Sequence, residues 1–269
     1  MGVITCDVTG LGVVVTVDSQ PTLITERRVN VSNRPLDRTR LIARDAADFG
    51  GYLSFVGTEE IDDVTTGEFL TEHSNSRGDL SLADYLDTLA VDLTEAWQRN
   101  ELVTGLYIHV QGACAGEPVF RIVNNIGGME RTDYLDITTA FKAVNDLDEN
   151  LIPAWELHAG EGKQRVLSRT IGYLRNGSLR GYLEPFDDFN GLMSKLYDGR
   201  YDGFESFSTI QAYAALVRMR AEFITRIFKP SKGLYSGAQP VHGPVEVRAV
   251  GLDGGRWVIP VKDAARRDK

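Results

Sequence analysis

Leu82, Tyr85, Leu86, Leu89, Leu93 and Trp97 recur at intervals of three and four, and that stripe limits what the chain can fold into more than any other feature. Such spacing gathers the side chains on one face of an α-helix, and the face must be covered by an apolar layer. Ser81 is placed to cap the helix, with Asp84 three residues on in a weak form of the capping box. A second stripe, Ile210, Tyr213, Ala214, Val217, Ala221, Ile224 and Phe228, is widened by Leu216, Phe223 and Ile227. That helix is expected to bury more than one side, with Ser208 as its cap and Pro230 as its stop.

The segments around these helices read as hairpins. Residues 3–6 and 13–17 are short apolar runs, with Asp7, Thr9, Gly10 and Gly12 as turn chemistry between them. Residues 52–56 form a further strand closed by Gly57. Strands are expected over 102–110 and 117–124, turning at 111–116. Another pair is expected over 245–250 and 257–261, joined by Asp253-Gly254-Gly255. Strands joined by hairpins instead of crossover helices imply an α+β fold with antiparallel sheets. Residues 58–80 read as an acidic loop, with Arg77-Gly78-Asp79 as the entry to the next helix. Residues 136–147 are expected to form a short helix, and 163–174 has helical spacing at Val166, Ile171 and Leu174. Residues 182–207 mix aromatics with Asp and Gly in no clean period, which suits an insertion or a partner surface.

Composition removes several function classes. Of 269 residues, 42% are apolar and 25% charged, which is ordinary globular usage. The net charge of −9 argues against nucleic acid or an anionic membrane surface as the main partner. Cys6 and Cys114 are too few for a disulfide framework, and His73, His109, His158 and His242 show no metal-ligand spacing. No cofactor or metal is expected. No signal peptide or membrane span is expected either, so the cytoplasm is the expected location. Gly160-Glu161-Gly162-Lys163 lacks the rest of a phosphate loop, and there is no Gly-x-Ser-x-Gly elbow.

The order of pieces carries a resemblance. Gly12-Val-Val-Val-Thr-Val-Asp18-Ser19-Gln20 is similar to the second strand and Asp-Ser-Arg type triplet that open proteasome-family subunits. The strand closed by Gly57, the helix over 82–99, the hairpin over 106–124, the helix over 208–228 and the closing His242-Gly243-Pro244-Val245-Glu246-Val247 follow in family order. The resemblance, to the proteasome-like branch of the N-terminal-nucleophile hydrolases, spans about two thirds of the chain. It implies a single domain over 1–269 with an insertion near 175–207. The expected architecture is a four-layer αββα sandwich of two stacked antiparallel sheets flanked by helices. Peptide or amide hydrolysis is the chemistry of that lineage, and rings or stacks of identical subunits are its assemblies.

The same resemblance places the site. Asp18 would face the N-terminal nucleophile, and counting back around the turn puts Gly2 there, which has no group to attack a carbonyl. Gly57 would contribute the oxyanion hole. The family's lysine corresponds to Arg40, which stays protonated and cannot accept a proton. Glu161 stands where the family has a serine. Thr5 and Cys6 are the remaining candidate nucleophiles, since an N-terminal Thr or Cys can use its own amine as base. Either would need the preceding residues removed. Three readings follow: a catalytically degenerate, self-assembling subunit; an active threonine- or cysteine-type peptidase or amidase after processing; or an unrelated α+β binding module.

Overall fold

The computed structural model describes residues 3–18, 22–25, 28–31, 42–46, 48–58, 60–100, 105–126, 137–144, 172–177, 189, 192, 208–228 and 245–259. Its fold class is α+β, as expected from the hairpins. The chain divides into two compact units, Met1–Asp37 with Leu167–Ala249 and Arg256–Lys269, and Arg38–Val166 with Val250–Gly255.

In the first unit, strands β1 (Val3–Thr9) and β2 (Gly12–Asp18) form the expected hairpin. A two-stranded ribbon, β3 (Thr22–Thr25) and β4 (Arg28–Val31), follows. The main sheet is five-stranded and also takes in β12 (Gly172–Gly177), β13 (Val245–Gly251) and β14 (Arg256–Ile259), in the order β12-β1-β2-β13-β14. Here β1 runs antiparallel to both of its neighbours. The second expected helix, Ile210–Phe228 (α3 here), packs Ile210, Tyr213, Ala214, Leu216, Val217 and Ala221 with Val14, Val245, Val247 and Ala249. Its cap is Thr209, one residue after the expected Ser208: the Thr209 hydroxyl accepts from the Ala212 amide at 3.2 Å.

The second unit holds β5 (Ile42–Asp45), β6 (Phe49–Gly57), β9 (Leu106–Cys114), β10 (Glu117–Ile126) and β11 (Ile137–Val144) as one antiparallel sheet, ordered β11-β10-β9-β6-β5. The helix Leu82–Asn100 (α2) lays its stripe on this sheet, so that Leu86, Leu89 and Leu93 join Leu53, Ile108 and Val110 in one apolar core. The Ser81 hydroxyl accepts from the Asp84 amide at 3.2 Å, as the capping pattern implied. Asp48 adds a second cap from a distant loop, accepting from the Leu82 amide at 3.1 Å. Cys6 and Cys114 are both free.

Three expectations fail here, each for a local reason. Residues 58–80 are not a loop: after a short ribbon, β7 (Glu60–Ile61) with β8 (Val64–Thr65), helix α1 spans Thr66–Ser76. A full capping box starts it, with the Thr65 hydroxyl accepting from the Glu68 amide and the Glu68 carboxylate from the Thr65 amide. Its buried residues are Thr66, Gly67, Leu70, His73 and Ser74, so no hydrophobic stripe announces it. Arg77-Gly78-Asp79 is the turn between α1 and α2. The expected helix at 136–147 is strand β11, whose run Ile137-Thr138-Thr139 is β-branched and favours a pleated strand over a helix. The end of the expected helix at 163–174 belongs to strand β12, while 163–171 lies outside the described residues. In addition, the 111–116 turn shrinks to Ala115 and Gly116 because β9 continues to Cys114.

Candidate functional site

The β1–β2 hairpin holds Thr5, Cys6 and Asp18 of the residues that the sequence singled out. Thr9 and Gly12 close it around Gly10 and Leu11. The Thr9 hydroxyl accepts from the Leu11 amide at 3.1 Å and donates to the Gly12 carbonyl at 2.9 Å. The turn therefore does not depend on Asp7, contrary to the sequence reading. The register pairs Ile4 with Val17 and Thr5 with Thr16. Carried one residue further, it sets Val3 opposite Asp18, where β2 ends.

Thr5 and Cys6 lie in the middle of β1, with a strand on either side. Thr5 pairs with Arg175 and Thr16, and Cys6 with Leu174 and Val15. Both are buried. Burial, and then the neighbouring Asp7 charge, push the Cys6 thiol well above its ordinary value. That leaves little thiolate for attack at neutral pH. The Thr5 and Thr16 hydroxyls, on directly paired residues, have no hydrogen-bond partner.

Alternation along β1 puts Asp7 on the same face as Thr5. Asp7 is 1% exposed, and the Arg220 guanidinium of α3 reaches its two carboxylate oxygens at 2.9 and 2.7 Å. The Tyr213 hydroxyl donates to the same carboxylate at 2.8 Å. Sequence reasoning missed this network. Its signal was a charged residue amid apolar and Thr neighbours in a strand, with Tyr213 and Arg220 seven residues apart on one helix face.

Gly57 ends β6, opposite Leu106, in the other unit. Its φ is +121°, and a Cβ there would come within 2.0 Å of the Gly105 carbonyl oxygen. Backbone approach alone thus requires glycine at this position. Gly2, Arg40 and Glu161 lie outside the described residues. The arginine that stands out before β6 is Arg44, which the sequence did not single out. It is buried, donates to the carbonyls of Ser74, Arg77 and Leu80, and lies 3.5 Å over the Tyr85 ring. On β9, His109 is buried as the strand residue the alternation suggested, opposite Ser54. The Ser54 hydroxyl accepts from the Gln111 side-chain Nε2 at 2.8 Å. Among the described residues, no group of three or more His, Cys, Asp or Glu could hold a metal ion. None of the described helices is long and apolar enough to cross a membrane.

No family model matches the chain, and no curated protein matches it. Similar solved structures include an Anbu (Gly-1) mutant from Hyphomicrobium sp. strain MC1, at 11% identity and a TM-score of 0.48 over 98% of this chain and 89% of that one. Anbu, described as an ancestral beta-subunit, from Yersinia bercovieri gives 9% identity and a TM-score of 0.46 over 97% and 88%. A further Anbu structure from Hyphomicrobium sp. strain MC1 gives 11% and 0.45 over 97% and 89%.

Proposed function

We propose that this chain is a proteasome-like subunit of the N-terminal-nucleophile lineage, one such domain over residues 1–269, that has lost peptide hydrolysis and acts by assembling with copies of itself. The observation that carries this reading is the register of the opening hairpin. By that register Val3, the first residue of β1, falls opposite Asp18, and neither Val3 nor Gly2 before it in the sequence offers a hydroxyl or thiol. Thr5 and Cys6 do offer them, but each sits mid-strand with a paired residue on both sides, Arg175 and Thr16 for Thr5, Leu174 and Val15 for Cys6. Making Thr5 a chain terminus would strip Val3 and Ile4 from β1 and from their pairs Gly177 and Asn176 on β12. Catalysis of this type needs an amine and a nucleophile on one residue, beside a cation and an oxyanion donor. Losing the nucleophile alone removes most of the rate acceleration.

The test is cleavage of fluorogenic peptides by protein whose N-terminus has been fixed by intact mass. No turnover is expected with Met1 or Gly2 at the terminus. Turnover abolished by Thr5→Ala or Cys6→Ala would overturn the degenerate reading in favour of an active, processed enzyme. Self-assembly is tested separately by light scattering, where the mass of a single chain at all micromolar concentrations counts against it. The 182–207 segment is the proposed contact between copies. Phe189 packs with Phe223 of α3 at 5.4 Å between ring centroids, and Leu192 is exposed.

A further inference from the structure

We infer that His73 makes the end of helix α1 a pH-sensitive latch, closed on α2 while the imidazole is neutral and released when it takes up a proton. The latch belongs to the second unit and the β1–β2 hairpin to the first, and the latch stands independently of the proposed function. One carboxylate, Asp92 of α2, holds two groups from the last turns of α1. The Arg77 guanidinium reaches its Oδ2 at 2.7 Å, and His73 Nε2 meets the same oxygen at 3.1 Å. A carboxylate only accepts, so Nε2 carries the proton of the neutral ring and Nδ1 is bare. Nδ1 is buried and has no hydrogen-bond partner, and the ring is enclosed by Phe69 at 6.0 Å and Tyr85 at 5.2 Å between centroids.

Protonation turns that bare nitrogen into a buried N–H with nothing to donate to. It also creates a third cation in a place that already holds two. Arg77 is at the helix's own C-cap, and Arg44 of β5 is bonded to the Ser74, Arg77 and Leu80 carbonyls. On the elements around α1, Asp92 and Tyr85 of α2 face the ring, while Asp84, Asp87, Glu95 and Arg99 of α2, Asp45 of β5, Glu60 of β7, Asp79 of the following turn, and Glu68 and Glu72 of α1 itself are exposed. Burial and then Arg77 push the His73 imidazole below its ordinary value; Asp92 offsets part of that, and Arg44 adds to it. The folded helix therefore resists the proton that the released helix accepts, and acid favours release. The apolar face of α1 is small, with Leu70 its one fully buried large hydrophobic residue and Phe69 packed half-buried against the same core, so limited apolar packing opposes the opening.

Hydrogen exchange of the whole chain, corrected for intrinsic rates, tests this. The amides of α1 should lose roughly tenfold protection relative to those of α2 and β9 between about pH 7.5 and about pH 5. His73→Gln keeps a donor for Asp92 but cannot titrate, and its α1 protection should stay flat across the same range. Equal loss in α1, α2 and β9, or the same α1 loss in His73→Gln, would overturn the latch. If His73→Gln does not fold, NMR titration of the wild-type imidazoles decides the matter. A His73 ring that titrates at or above its ordinary value, or whose titration does not coincide with the α1 opening, sinks the proposal.

Discussion

Helices α2 and α3 each cover a five-stranded sheet, but on different chemical terms. The contact face of α2 is apolar, with Leu86, Leu89, Leu93 and Trp97 against Leu53, Phe55, Ile108 and Val110. Ser81 and Asp48 cap its start. The face of α3 is apolar too, yet it carries Tyr213 and Arg220 onto the buried carboxylate of Asp7. An apolar face tolerates sliding and repacking, because its energy follows area. A buried ion pair has one good geometry and becomes a liability if either partner is removed. The first unit thus fixes its helix at one point on β1, whereas the second spreads the task over many contacts.

The largest expected effect attacks that point directly. Asp7→Ala leaves Arg220 buried without its carboxylate and should lower stability by about 3–5 kcal/mol in urea unfolding. The double change Asp7→Leu with Arg220→Met removes both charges and should return most of that loss, since apolar replacements of buried pairs are often neutral or better. A loss under about 1 kcal/mol for Asp7→Ala would mean that α3 is held, like α2, by area alone.

On the apolar side, His109 of β9 is a buried titratable group among the core residues. Burial pushes its imidazole down to about 4, while the unfolded chain keeps an ordinary value near 6.5. As pH falls, the unfolded state takes the proton first, so the contribution is complete above about pH 6.5 and is lost progressively toward about pH 4. The whole span is worth roughly 3 kcal/mol, and His109→Gln should flatten it in stability measured against pH. An unchanged pH profile in that variant would place the acid sensitivity elsewhere.

Next in size is Gly57→Ala, expected to cost roughly 2 kcal/mol through positive φ and backbone contact, with no change in peptide turnover. A wild-type turnover abolished by this change at unaltered stability would restore Gly57 as an oxyanion donor.

Much of the fold was legible because apolar periodicity reports helices and strands wherever one face is covered. Both long helices, the opening hairpin and the strands over 106–124 follow from it. Helix α1 was not legible, because its buried positions are mostly small or polar and its start is encoded in Thr65 and Glu68 rather than in a stripe. Strand β11 misled because Ile137, Phe141 and Val144 also match helical spacing. The candidate site was legible only along the chain. Thr5, Cys6 and Asp18 could be set on one hairpin, but no local pattern pairs Asp7 with a residue more than two hundred positions away. Nor does composition reveal that Arg44 would be spent on the carbonyls at the end of α1.

The smallest expected effect concerns the two hydroxyls that face each other beside the ion pair. Thr5 and Thr16 are directly paired, buried and without hydrogen-bond partners. Valine has nearly the same shape and nothing to desolvate. Replacing one threonine should therefore be neutral or stabilising by up to about 1 kcal/mol, and replacing both somewhat more. That outcome fits hydroxyls that serve neither packing nor chemistry, and it would make the polar character of this sheet face depend on Asp7 alone. A clear loss of stability in Thr16→Val would instead reveal a water bound between the strands and shared by both hydroxyls. Neutral single changes with a destabilised double change would point the same way, because a bridging water survives one remaining hydroxyl but not the loss of both.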